Sequence, residues 1–288
     1  MITVIAVVGL IVFAGSTIPD FELENMNKNA LPNGWGGAFA AIPFAIWFFL
    51  AIEGVANVAE ETINPQRNIL IGFGSALLTL IILCIFTFGS SIGVAGWEGI
   101  VYETMGSDPT DSPLPLAISR ASTYSPLLLN TIGIIGLFGL VASFHGIILA
   151  AGRSTYEFGK IGYAPLFLGK VHKKFKTPSN ALIVNMIIGI AALITGKTGE
   201  IITIACFGAL SLYIISMVSA IVLRRREPKM ERPFKVPFYP FTPYIALIIA
   251  SVALISITIY NPTLASIYIA ILLISFIWFK LNSKGDKS

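Results

Sequence analysis

The chain has 288 residues, 55% of them hydrophobic and only 12% charged, against about 25% charged in an average soluble domain. With a mean hydropathy of +0.82, it cannot cover its apolar surface with polar side chains, which excludes a water-soluble enzyme and implies an integral membrane protein. The net charge of +4 is spread too unevenly to imply nucleic acid as a partner, and Cys84 and Cys206 both fall in apolar runs, so no disulfide framework is implied.

Crossing a bilayer as a helix takes about 17–25 apolar residues. Segments 2–18, 39–58, 69–95, 126–151, 179–196, 200–223, 242–260 and 263–280 meet that requirement, and no linker divides residues 1–288 into separate domains. The predicted fold is therefore an all-α membrane protein. The first segment has the apolar core of a signal peptide, but no Lys or Arg precedes it, so it is read as a span.

The second segment, FAIWFFLAIEGVANVAEE, holds Glu53 at membrane depth. An ionised carboxylate there costs about 2.5–3.5 kcal/mol. Such a group faces a cavity, a partner or a ligand; the competing reading is a protonated Glu53 bonded to a neighbouring helix. On a helix Glu53, Asn57 and Glu60 share one face, with Glu53 about 8 Å from the inner end of the span. Gly54 and Pro43 predict an interruption. A broken span offers carbonyls from one half and N–H groups from the other to a ligand, which points to the backbone of Leu50, Ala51, Ile52, Glu53 and Gly54. Trp47, Phe48 and Phe49 precede the break, and an aromatic face there suits an ammonium group.

Further along, the connection 96–125 is acidic and rich in proline. His145 is the one histidine inside a span, beside Ser143, and a histidine there suits proton exchange, with a hydrogen bond between helices as the alternative. The stretch 155–172 reads as a short amphipathic helix lying in the interface. Gly196 and the pair Asn261-Pro262 predict tight turns between neighbouring spans. Thr195-Gly196-Lys197-Thr198 resembles the end of a P-loop, but Ala191 stands where its first glycine belongs. No metal-ligand spacing occurs, and no cofactor is expected.

Counting spans gives a charge test. If both termini lie on one side, loops 59–68, 152–178 and 224–241 and the tail share that side, and only Lys28, Arg120 and Lys197 lie on the other. The positive-inside rule makes the basic side cytoplasmic.

Three runs carry a family resemblance. The first is Phe49, Ala51, Glu53, Ala59, Glu60, Glu61, Asn64, Pro65 and Arg67. The second is Arg153, Lys160, Gly162, Tyr163 and Pro165, ending at Lys176-Thr177-Pro178. The third runs from Arg225-Arg226 and Pro228 through Glu231-Arg232-Pro233-Phe234-Lys235 to Pro240. Their order resembles permeases of the amino acid–polyamine–organocation superfamily, most like its ethanolamine and amino acid permeases, over helices five to twelve. The resemblance implies an interrupted-helix, inverted-repeat fold, N-terminally incomplete. It implies secondary transport of a small amine or amino acid across an inner membrane. Glu53, Trp47, Phe49, Leu50, Ala51, Ile52, Gly54 and Asn57 would contact substrate, and His145, Ser143, Glu60 and Arg153 would serve coupling or gating. The partners implied are the solute, the lipid bilayer and a separate N-terminal permease half. The alternative is a non-transporting remnant or one half of a split transporter.

Overall fold

The computed structural model describes residues 2–52, 54, 62–104, 106–232 and 236–282, and among these the only regular structure is helical. The helices are α1 (Ile2–Thr17), α2 (Leu23–Asn27), α3 (Gly34–Ala40), α4 (Ile42–Trp47), α5 (Pro65–Val101), α6 (Pro113–Arg120), α7 (Pro126–Ile161), α8 (Ser179–Ile194), α9 (Thr198–Arg226), α10 (Phe241–Tyr260) and α11 (Pro262–Asn282). Among the described residues, six segments are long and apolar enough to cross a membrane: Ile2–Asp20, Arg67–Val101, Pro126–Ile161, Thr198–Arg226, Phe241–Tyr260 and Pro262–Leu281. The expected span 179–196 falls on the shorter apolar helix Ser179–Ile194, and the expected span 39–58 begins on the shorter apolar helix Gly34–Trp47 and ends outside the described residues.

The chain divides into two compact units, residues 1–32 with 71–147 and residues 33–70 with 148–288. In the first, Phe13 of α1 is fully buried with Ile100, Ala117 and Ile118, and Leu128, Leu129 and Ile132 of α7 pack around them. Polar groups near the end of α1 bond into the connecting loops. The Asp20 carboxylate accepts from the Ser122 backbone N–H at 2.8 Å and from its hydroxyl at 2.9 Å, and Thr123 donates to the Ser16 carbonyl at 2.6 Å. Asn25 donates to the Gly93 carbonyl at 2.8 Å. These bonds satisfy backbone groups that a loop cannot pair internally.

The second unit is built on α9 against α10. Its core is Cys206, Phe207, Leu210, Ala250, Ala253, Ile257 and Ala265. The alanines leave room for close helix approach, the packing mode that membrane helices favour in the absence of a hydrophobic drive between them. Phe207 stacks on Tyr268 of α11 at 5.5 Å. In the last turn of α9, Arg224 lies over the Tyr239 ring at 3.7 Å and Arg225 donates to the Tyr244 hydroxyl, so the basic turn is held by aromatic partners.

Two elements differ from the sequence reading. The stretch 155–172 is not a separate interfacial helix: α7 continues to Ile161. Its polar end is supported by pairs one turn apart, with Lys160 near Glu157 at 3.5 Å and over Tyr156 at 5.7 Å. The chain then turns at Gly162, φ +88°, and runs back so that Gly169 meets Gly159, with no room for a side chain at either position. The second difference is that the loop 96–125 contains α6, started by Pro113.

Candidate functional site

The candidate site begins with how the second unit anchors its broken segment. Ile42, Ile46 and Leu50 recur every four residues and pack on the core of Cys206, Phe207 and Leu210. Two side chains fix the backbone beside them. The buried Cys206 thiol donates to the Pro43 carbonyl at 3.1 Å, and Ser256 donates to the Phe39 carbonyl at 3.2 Å. Pro43 itself is fully buried. α3 and α4 meet at Ala41, directly before the Ile42-Pro43 start that proline favours.

The helix then ends. α4 stops at Trp47, and the next bonds are short ones: Phe49 N–H to the Ile46 carbonyl at 2.9 Å and Leu50 N–H to the Trp47 carbonyl at 3.2 Å. Ala51 sits at φ +68°, a left-handed conformation that costs an L-residue about 1–2 kcal/mol. Gly54 N–H closes a last turn onto the Ala51 carbonyl at 3.0 Å. A Cβ on Gly54 would stand 4.0 Å from Ala150 of α7. The expected interruption is present, one turn earlier than Gly54. The core stripe fixes its position: Leu50 remains against α9, so the backbone reverses at the next residue.

With Leu50 facing the core and Ile52 half-buried, Trp47, Phe48 and Phe49 are exposed. Glu53, Asn57 and Glu60 lie outside the described residues. Ser143 and His145 are exposed on α7 in the first unit, whereas residues 47–54 and Arg153 belong to the second. The His145 Nδ1–H donates to the Val141 carbonyl at 2.7 Å, a bond to its own helix one turn back rather than to a neighbour.

Sequence reading missed three features. Cys206 was legible as a packing residue, but not as the donor that fixes Pro43. Ser256 gave no signal. Thr155 of α7 donates to the Asn185 side-chain carbonyl of α8 at 3.1 Å, and the buried Asn185 Nδ2 is without a partner among the described residues; an Asn in the middle of an apolar run was the available clue. Lys197, the P-loop-like lysine, pairs with Glu200 at 2.8 Å within the first turn of α9.

Among the described residues, an all-helical, multi-pass architecture with a helix broken at Trp47–Ala51 is that of membrane proteins built on interrupted helices. The amino acid permease family model matches residues 1–279, and the chain belongs to that family, within the amino acid–polyamine–organocation superfamily. It is 26% identical over 296 residues to an uncharacterized transporter of Rhizobium meliloti, covering 99% of this chain and 62% of the relative. It is 27% identical over 224 residues to the branched-chain amino acid permease BcaP of Bacillus subtilis, covering 76% and 45%. It is 27% identical over 218 residues to the methylthioribose transporter of Bacillus subtilis, covering 75% and 45%. The chain thus spans about half the length of the curated relatives it matches.

Proposed function

We propose that this protein works in secondary active transport of a small amino acid or amine, ethanolamine included, across the cytoplasmic membrane, with both termini cytoplasmic. The observation that carries the reading is the break at Trp47–Ala51, left-handed at Ala51, immediately before Glu53 in a chain of the amino acid permease family. A strained backbone of this kind is a feature of ligand clamps and switch regions. The relative named as a branched-chain amino acid permease favours an amino acid, and the methylthioribose transporter shows that relatives at the same identity differ in solute.

In this reading the Glu53 carboxylate and the backbone of Leu50–Gly54 hold the ammonium group, with Asn57 extending the polar face. Trp47 or Phe49 closes over the bound solute. His145 and Ser143 lie near the coupling pathway, and Glu60 and Arg153 gate the inner mouth. Replacing Glu53 by Gln removes the charge and keeps the shape. A charge-assisted hydrogen bond is worth about 1.5–3 kcal/mol, so uptake of radiolabelled leucine or ethanolamine at subsaturating concentration should fall at least tenfold at unchanged surface expression. Full uptake by Glu53→Gln would refute the ligand role. Absence of uptake by the wild-type protein, displayed at the membrane, would favour the non-transporting alternative.

A further inference from the structure

The first unit contains a cleft of about 680 Å³ that no residue expected from the sequence enters. Its chemistry comes from Lys28, Trp97, Glu98, Tyr102, Glu103 and Arg120. The loop geometry explains why they converge. Gly96 sits at φ +70° and ψ 167°, which breaks the helical path of α5 and sends the turn from Trp97 to Val101 off in a new direction. Val101 then accepts from the Thr110 N–H at 2.8 Å, closing the loop.

Trp97, Glu98 and Arg120 are each tied to a neighbour other than an opposite charge. Trp97 Nε1 donates to the Asn29 carbonyl at 2.9 Å, and Asn29 Nδ2 donates to Glu98 Oε1 at 2.9 Å. Arg120 Nη2 donates to the backbone carbonyl of Glu103 at 2.7 Å. Trp97 and Tyr102 meet edge to face at 6.2 Å. Among the described residues no ion pair joins Lys28 or Arg120 to Glu98 or Glu103. One cleft therefore presents two cations, two carboxylates and an aromatic surface, with Glu98 and Arg120 held by uncharged partners and not cancelled against each other. A singly charged solute can use one half of that wall. A solute with an ammonium and a carboxylate on adjacent atoms can use both, because a guanidinium presents several N–H donors to a carboxylate and a carboxylate accepts from an ammonium.

We propose that this cleft binds a zwitterionic α-amino acid, with its ammonium toward Glu98 and Glu103, its carboxylate toward Arg120 and Lys28, and its side chain against Trp97 and Tyr102. The loop involved, 96–125, is the one that the charge pattern assigns to the outer face, so the cleft collects solute before the membrane step. The proposal rests on the reading that the solute is an amino acid and adds a loop site to the broken helix.

The test uses the full chain in nanodiscs with Trp35, Trp47 and Trp278 replaced by Phe, leaving Trp97 as the reporter and removing one aromatic of the membrane site. L-leucine, ethanolamine and isobutyrate are titrated against Trp97 emission. L-leucine should give a saturable change at lower concentration than either singly charged probe. Arg120→Gln, Glu98→Gln and Lys28→Gln should each weaken the leucine response about threefold, as expected for solvent-exposed charge contacts. Lys28→Gln guards against misfolding, because among the described residues no side-chain bond of Lys28 holds the loop. No saturable response, an equal response to ethanolamine, or leucine affinity unchanged in all three variants would overturn the cleft. Leucine uptake by the unsubstituted protein is measured alongside. Uptake without a Trp97 response sinks the cleft alone, and a Trp97 response without uptake sinks the transport reading alone.

Discussion

Ala51 holds a backbone conformation that suits glycine, at φ +68°. Its neighbours explain why it is held there. Leu50 is packed on the α9 core and Gly54 N–H is bonded back to the Ala51 carbonyl, so the reversal is confined to one residue. Replacing Ala51 by Gly removes the steric cost of about 1–2 kcal/mol and adds about 0.4–1 kcal/mol of unfolded-state entropy. The expected net result is a gain of up to about 1 kcal/mol in detergent-solubilised thermal unfolding. Ala51→Val should lose stability, because branching at Cβ worsens the same clash. If Ala51→Gly were strongly destabilising, the left-handed assignment at this residue would be wrong. The same strain bears on function: a clamp tuned by strain should exchange stability for uptake, so Ala51→Gly should stabilise the protein without raising leucine transport.

Among elements, the end of α7 and the chain that returns to it make the tightest backbone approach. A Cβ on Gly159 would lie 2.4 Å from the Gly169 nitrogen and 2.8 Å from Leu168 backbone and side-chain atoms. Backbone cannot move aside as a side chain end can. Gly159→Ala should therefore cost about 1–3 kcal/mol, the range for overpacking a filled site. Gly189 on α8 has nothing within 4 Å of its would-be Cβ. Gly189→Ala should be neutral or stabilise by up to about 1 kcal/mol, and thermal unfolding of the pair side by side separates packing from propensity. This contact was not legible in the sequence. Apolar runs such as 200–223 and 242–260 announce α9 and α10 because hydropathy sums over a whole span. Helix ends are set by single pairs, such as Lys160 with Glu157 and Tyr156, which carry α7 ten residues past its apolar stretch. The broken segment was half legible: Pro43, Gly54 and Glu53 signalled an interruption, but its position follows from where Leu50 meets α9, a tertiary fact. Cys206 and Ser256, whose bonds fix that segment, sit 163 and 217 residues from their acceptors, a separation at which no local pattern speaks.

At the scale of the whole molecule, the claim most open to test is orientation. The loop 96–125 and the connection 162–178 flank a single helix, α7, whose 36 residues span about 54 Å at 1.5 Å per residue, well over the roughly 30 Å hydrocarbon core. If α7 crosses, its ends emerge on opposite sides, and the charge bias decides which is which. The connection 162–178 carries Lys170, Lys173, Lys174 and Lys176, whereas the loop 96–125 carries Arg120 alone. Lys and Arg beside a span resist translocation, so the lysine-rich side should be cytoplasmic. Asp108 and Lys174 are both exposed. In a background with Cys84 and Cys206 replaced by Ser, which keeps a donor for the Pro43 carbonyl, Asp108→Cys should react with a membrane-impermeant maleimide on intact cells. Lys174→Cys should react only after permeabilisation. Labelling of both from outside would mean that α7 does not cross, and the reversed pattern would place the basic loops outside. The reversed pattern would also move the cleft around Trp97 from the face where solute arrives, and with it the order in which the loop site and the broken helix meet the solute.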